Sequence, residues 1–153
     1  MKFGTSTGSV VLAVILGISG LVAHATGIGR QMITNFPADA RKMKDPLQKS
    51  KENILAGASV FQQNCSGCHG PAGVPTRKFA NLANQPANLT QENMKHLADG
   101  EMFWVLTRGA PGGMPSFADD LSEGQRWQCI QFVRRLGKDA DKYTAQLPPA
   151  GGR

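Results

Sequence analysis

The chain has 153 residues, with 17 Lys and Arg against 11 Asp and Glu and a formal net charge of +6 at pH 7. This length favours a single domain, and the sequence contains no internal repeat. The basic residues form no stripe of the kind that binds nucleic acid and aromatic residues are few, whereas a moderately basic surface suits an acidic protein partner.

Residues 1–25 predict a secretory signal peptide. Lys2 supplies a positive start, residues 10–22 form an apolar run, and Ala23-His24-Ala25 has the small-x-small form that signal peptidase cleaves. We therefore expect cleavage after Ala25 and a periplasmic protein. The alternative is an uncleaved N-terminal anchor with the rest of the chain facing the periplasm, although the run is shorter than the roughly 20 apolar residues of a membrane span.

Residues 26–49 predict an extended N-terminal arm, because they contain Pro37 and Pro46 and lack helical periodicity. This arm is expected to wrap the core, or to link it to a membrane if the signal is not cleaved.

The first predicted helix runs from Ser50, which is a suitable N-cap, to Asn64. Gly57 and Phe61 are four residues apart and therefore share one face of this helix. A glycine on that face allows another helix to approach closely.

The strongest functional motif is Cys65-Ser66-Gly67-Cys68-His69. Zinc sites normally use two such cysteine pairs, and a thioredoxin-like dithiol follows a strand; neither feature is visible here. A simple disulfide leaves His69 unexplained. Covalent haem attachment explains the whole motif, since Cys65 and Cys68 form thioethers with the two vinyl groups and His69 becomes the proximal iron ligand.

Residues 65–88 are predicted to be a loop, because prolines and glycines are frequent there. A short helix capped by Thr90 and a helix over residues 101–108 that ends at Gly109 follow.

Met114 is the predicted second axial ligand. Met94, His96 and Met102 are the other candidates, but they lie in predicted helices, where packing or surface exposure is their ordinary role. Met114 lies in Gly112-Gly113-Met114-Pro115, where glycines let the backbone approach a flat ring. A thioether at the sixth position raises the reduction potential of haem iron and leaves no open site for a substrate.

The last predicted helix begins after Ser122, which forms a capping box with Gln125, and ends near Leu136. Its apolar stripe should meet the first helix and consists of Cys129, Phe132, Val133 and Leu136. Residues 138–153 are expected to form a flexible C-terminal tail. Together, residues 50–137 predict an all-α domain of short helices and long loops wrapped around one covalently bound haem.

Between residues 56 and 136 the chain resembles a class I c-type cytochrome of the bacterial periplasmic monohaem kind. The resemblance rests on Gly57 and Phe61, CSGCHG (65–70), PANLT (86–90), DGEMFWVLTRGAPGGMPSF (99–117) and RWQCIQFVRRL (126–136). It implies haem attachment to Cys65 and Cys68, and iron ligation by His69 and Met114. It also matches Pro75 to the family proline whose carbonyl holds the other nitrogen of the proximal histidine.

These features predict a periplasmic one-electron carrier that is not an enzyme, with iron performing the redox chemistry and redox proteins as donor and acceptor. The alternative is a haem c electron-transfer subunit of a larger periplasmic or membrane-bound dehydrogenase or oxidase complex. Contact with a membrane is expected only through an uncleaved N-terminus or a membrane-bound partner. A dihaem peroxidase would need a second C-x-x-C-H motif, which the sequence lacks.

Overall fold

The computed structural model describes Met1 and residues 36–148. The predicted signal peptide with its cleavage after Ala25, the arm up to residue 35 and the last five residues of the predicted tail lie outside the described residues. Within these residues the α-helices are α1 (Lys51–Asn64), α2 (Ser66–His69), α3 (Glu92–His96), α4 (Asp99–Arg108), α5 (Glu123–Val133) and α6 (Asp141–Thr144), and Ala40–Lys42 in the arm forms a short 3-10 helix. Among the helices of residues 36–148, none combines the length and the apolar character needed to span a bilayer.

The centre of the fold is the crossing of α1 and α5. Gly57 lies so close to α5 that a Cβ atom there would be 1.9 Å from the backbone oxygen of Gln128. Beside it, Phe61 and Phe132 are fully buried with ring centroids 5.3 Å apart. The predicted close approach at Gly57 and the packing of the first helix on the last are therefore confirmed.

The predicted caps of α1 and α5 are confirmed. The Ser50 side chain accepts a hydrogen bond from the Asn53 backbone N–H at 3.2 Å. Ser122 and Gln125 form the reciprocal capping box, with Ser122 Oγ accepting at 3.2 Å and Gln125 Oε1 accepting at 2.8 Å. These caps satisfy N–H groups that have no partner inside the helix.

The predicted cap of α3 is wrong, because α3 begins at Glu92 and its N-cap is Gln91. The Thr90 backbone N–H and hydroxyl both donate to Asn88 Oδ1, at 2.9 and 2.7 Å. Thr90 is therefore part of an Asx turn, and its hydroxyl does not cap the helix.

The arm between residues 36 and 48 packs on α4. The arm backbone approaches α4 most closely at Gly100, where a Cβ would be only 2.0 Å from the carbonyl oxygen of Ala40. A residue with a side chain would therefore not fit at this position of α4. The neighbouring Glu101 is only 3% exposed. Its carboxylate accepts from Arg41 Nε at 3.0 Å and from the Ala98 N–H at 2.7 Å. This contact explains why α4 begins two residues before the predicted start.

The apolar stripe on α5 is confirmed: Cys129, Phe132 and Leu136 are buried, and Val133 packs partly buried against the same core. Within the predicted C-terminal tail, residues 141–144 form α6, and Tyr143 packs against the core. The division of the chain at residue 137 stays a prediction.

Arg134 connects the end of α5 to the α3–α4 turn. Its guanidinium donates to Asp99 Oδ1 at 2.8 Å, to the Met94 carbonyl at 2.9 Å and to the Leu97 carbonyl. Arg134→Ala is expected to lower the free energy of unfolding by about 2–3 kcal/mol, since hydrogen bonds to charged groups are among the stronger ones. Urea denaturation of the haem-containing protein measures this.

The matched control is Arg135→Ala, which removes the neighbouring guanidinium and its ion pair with Asp139 four residues later. We expect a much smaller loss, because this partly exposed pair joins residues four apart in one segment, and such local pairs contribute little. Equal losses in the two variants would contradict the connecting role of Arg134.

Candidate haem-attachment site

The cysteine motif directly follows α1. The Cys65 carbonyl accepts from the N–H groups of Cys68 and His69, at 3.1 and 2.9 Å, so residues 66–69 form one helical turn where the sequence predicted a loop. Cys65 faces the core and is buried, whereas Cys68 is exposed. The two thiols therefore lie one turn apart, with His69 directly after them.

A backbone carbonyl orients His69. Its Nδ1 lies 2.9 Å from the carbonyl oxygen of Ala87, and a carbonyl accepts only from a protonated nitrogen. Nε2 is then the unprotonated nitrogen, which is the form that binds a metal. Burial lowers the pKa of His69 from its ordinary value, while the hydrogen bond to Ala87 opposes that shift.

The match of Pro75 to the carbonyl that holds His69 is wrong, because the partner carbonyl belongs to Ala87. The segment around Ala87 lies beside the motif because the Leu89 N–H donates to the Gly73 carbonyl at 2.7 Å. Gly73 itself has a φ of +77°, a value that favours glycine.

Met114 lies in a loop that follows α4, and its side chain packs partly buried against the core. The Ala110 N–H donates to the Met114 carbonyl at 2.9 Å. Gly112 and Gly113 have φ values of +96° and +138°, which few other residues adopt. The loop backbone therefore depends on these glycines, while their predicted close approach to a haem ring stays a prediction.

The other three candidates for the sixth ligand lie in helices. Met102 is 7% exposed in α4, Met94 is partly buried in α3, and His96 is exposed at the end of α3. These are the packing and surface positions expected for them. Ligation by His69 and Met114 stays a prediction.

The third cysteine contacts the motif. Cys129 is 1% exposed, and the hydrogen bond to Cys65 together with burial raises the pKa of its thiol well above the ordinary value. The same bond lowers the pKa of Cys65. Sequence reasoning placed Cys129 on the face that meets α1 but missed this contact. The four-residue spacing of Gly57, Phe61 and Cys65 is the signal that places Cys65 on that face.

Cys129→Ala is expected to leave haem attachment intact, because it removes one hydrogen bond to Cys65 but leaves both motif cysteines and His69 unchanged, and Ala fits the same buried position. The mass of the exported protein measures this, since covalent haem raises it. A cost of about 1 kcal/mol in unfolding free energy is expected from the smaller side chain. Loss of haem in Cys129→Ala would contradict a packing role for this residue.

These residues fit a covalently bound haem. The donor set of a c-type haem consists of two thiols, an imidazole and a thioether. Here the two thiols are one helical turn apart, the imidazole Nε2 is unprotonated, and the thioether lies in a glycine-rich loop. A bare zinc ion would need a cluster of His, Cys or carboxylate ligands. Within the part of the chain that the structure describes, no three such residues lie close enough together to hold a metal ion.

Comparison with known proteins gives the family. Residues 52–133 match the family model described as cytochrome c oxidase, cbb3-type, subunit III. The cbb3-type cytochrome c oxidase subunit FixP of Sinorhizobium medicae is 34% identical over 78% of this chain and 46% of its own length. The quinohemoprotein alcohol dehydrogenase ADH IIB of Pseudomonas putida is 27% identical over 72% of this chain and 15% of its own.

Among solved structures, cytochrome cL of Methylophaga aminisulfidivorans overlays with a TM-score of 0.47 at 23% identity, covering 68% of this chain and 74% of that one. The chain spans less than half the length of both curated relatives. The family model matches more than half of the chain. The protein therefore belongs to the family of cbb3-type cytochrome c oxidase subunit III, and it is an all-α class I c-type cytochrome that carries covalently bound haem c and transfers electrons.

Proposed function

We propose that this chain is the haem c electron-transfer domain of a larger redox complex in the periplasm, and that it passes electrons without itself catalysing a reaction. The observation that carries this proposal is the family match over residues 52–133, whose members include subunits of an oxidase. A second relative is named as a dehydrogenase. This favours the subunit over the free carrier that the sequence alone put first.

In the proposed mechanism the haem iron supplies a one-electron oxidation and reduction. Cys65 and Cys68 would hold the haem through thioethers, and His69 would bind the iron through Nε2 while its Nδ1 stays hydrogen-bonded to the Ala87 carbonyl. Met114 would supply a thioether as the second protein ligand. Two protein ligands would leave no position for a substrate on the iron, so the domain would only exchange electrons.

We propose that the redox partner binds this chain through an acidic surface, because basic residues of this chain lie near the predicted ligands. Arg77 lies against the cysteine motif, where its Nη2 donates to the Gly67 carbonyl at 3.3 Å. Lys78, the next residue in the chain, is also exposed, and so is Arg108, which is the last residue of α4. Positive charges near both predicted ligand segments would raise the encounter rate with an acidic partner and make that rate fall with salt.

Fractionation of the native protein tests the subunit proposal. Membranes are separated from the soluble extract and solubilised in a mild detergent. Both samples are then run on size-exclusion chromatography, and haem absorption is followed in every fraction. We expect the c-type haem of this chain to elute with a larger redox assembly in a mild detergent. Elution of all of it at the monomer mass would instead support the free carrier.

Removal of one positive charge from this chain tests whether its basic residues attract the partner. Arg108→Gln is expected to slow electron transfer at low salt by a few-fold, with the difference vanishing at about 1 M salt, where the Debye length is about 3 Å. Lys142→Gln on α6 is the matched control, and it should leave the rate unchanged. Equal rates for wild type and Arg108→Gln at all salt concentrations would contradict the docking role.

A further inference from the structure

The loop that carries Met114 is fixed at its base by α4. The Phe117 N–H donates to the Leu106 carbonyl at 2.9 Å, and Ser116 Oγ donates to the Thr107 carbonyl at 2.8 Å. We call residues 110–117 the Met114 loop. These bonds hold the part of the loop that follows Met114.

The tip of the Met114 loop has few hydrogen-bond donors of its own. Pro111 and Pro115 have no N–H group, and the intervening Gly112 and Gly113 have the most conformational freedom of any residue type. Ordering such a segment costs conformational entropy. Contacts from elsewhere in the chain are therefore needed to keep the tip in one place.

Those contacts come from Asn84. Its side-chain Nδ2 donates to the Pro111 carbonyl at 3.0 Å, and its backbone N–H donates to the Gly112 carbonyl at 3.2 Å. The fit is close, because a Cβ on Gly112 would lie 2.3 Å from Asn84 Nδ2, and a Cβ on Gly113 would lie 2.3 Å from Leu82 Cδ2. The two glycines thus admit the Asn84 segment directly against the tip.

The segment that carries Asn84 is itself closed by side-chain hydrogen bonds. We call residues 77–85 the bracing loop. Gln85 accepts from the Phe79 N–H at 2.8 Å and donates to the Phe79 carbonyl at 2.9 Å. Arg77 lies over the Phe79 ring, 4.7 Å from its centroid, and donates to the Gly67 carbonyl between the two motif cysteines. The bracing loop therefore connects the cysteine motif to the Met114 loop.

We propose that Asn84 is the positioning residue for the sixth iron ligand: its amide holds the glycine-rich tip so that Met114 stays on the iron. This inference rests on the proposed ligation by Met114. Asn84 itself touches neither iron nor partner in the proposal; it acts by restricting the backbone from Pro111 to Met114. Loss of the side-chain amide leaves the base of the loop attached to α4 and the Asn84 N–H bonded to the Gly112 carbonyl, but it removes the bond that holds the Pro111 carbonyl and so loosens the tip.

The test uses the haem-containing protein and the rate at which carbon monoxide binds ferrous iron, which is limited by Met114 leaving. Asn84→Ala removes one hydrogen bond and is expected to raise this rate about 3- to 10-fold. Asn84→Asp keeps the shape but places an acceptor against the Pro111 carbonyl, so its rate should rise at least as much. Asn81→Ala, an exposed asparagine of the same loop, is the control and should match wild type.

A second readout separates positioning from general stability. The long-wavelength absorption band of methionine-ligated ferric haem should disappear at a lower temperature in Asn84→Ala, while the helical circular dichroism melts at the wild-type temperature. If both transitions shift together, or if carbon monoxide binds both Asn84 variants at the wild-type rate, the inference is overturned. If Met114→Ala also leaves the ferric band unchanged, the proposed ligation fails as well, and the two failures are thereby distinguished.

Discussion

Met114→Ala is expected to lower the reduction potential of the haem-containing protein and to open the sixth coordination position. The shift should be on the order of 0.1 V, because axial ligands set haem potentials over about 0.8 V. A thioether stabilises ferrous iron, so its loss favours the ferric state. Potentiometric titration measures the shift, and rapid carbon monoxide binding at neutral pH reports the open position.

Met102→Ala is the matched control for this prediction. Met102 is buried in α4, so its truncation should cost about 2–4 kcal/mol of unfolding free energy. The absorption band of methionine-ligated ferric haem should nevertheless persist in Met102→Ala and disappear in Met114→Ala. Persistence of that band in Met114→Ala would show that another residue binds the iron.

Gly57→Ala is expected to lower the free energy of unfolding by about 3 kcal/mol or more, at the upper end of overpacking costs. The new Cβ would lie 1.9 Å from the Gln128 carbonyl oxygen, and this neighbour is backbone, so α1 and α5 must move apart. The same crossing holds Phe61 against Phe132, and that packing would loosen too. Urea denaturation of the haem-containing protein, followed by circular dichroism, measures the change.

Gly124→Ala on α5 is the control for Gly57→Ala. A Cβ at Gly124 meets no atom within 4 Å, so the substitution should gain about 0.5–1 kcal/mol from the lower entropy of the unfolded chain. Opposite signs for the two variants are therefore expected. A similar small effect at both positions would argue against the close crossing of α1 and α5.

Both predictions concern what keeps the predicted haem in place. The crossing at Gly57 fixes α1, and Cys65 follows α1 directly, so the crossing also sets the position of the cysteine motif. The Met114 loop is attached separately, to α4 and to the bracing loop. We therefore expect substitutions at the crossing to change stability more than potential, and substitutions at the Met114 loop to change potential more than stability.

Local features were predictable because their partners are close along the chain. The caps at Ser50 and Ser122 each bond an N–H three residues later, and a hydroxyl before a helix is a residue-specific signal. The chemistry of Cys65-Ser66-Gly67-Cys68-His69 is likewise contained in five consecutive residues. The glycine at residue 57 indicated a close helix contact because few other residues allow one.

What only the tertiary structure decided is which distant backbone and side-chain groups meet these features. The carbonyl that orients His69 comes from Ala87, 18 residues away, and every residue carries a carbonyl, so no residue type marks it. The Cys65–Cys129 contact and the hydrogen bond from Asn84 to Pro111 depend in the same way on how loops and helices pack. The sequence by itself determined the attachment motif and the caps of α1 and α5, because both depend on residue type at short spacing. The start of α4 and the groups that support each predicted ligand were decided only by the tertiary structure, because their partners come from distant parts of the chain.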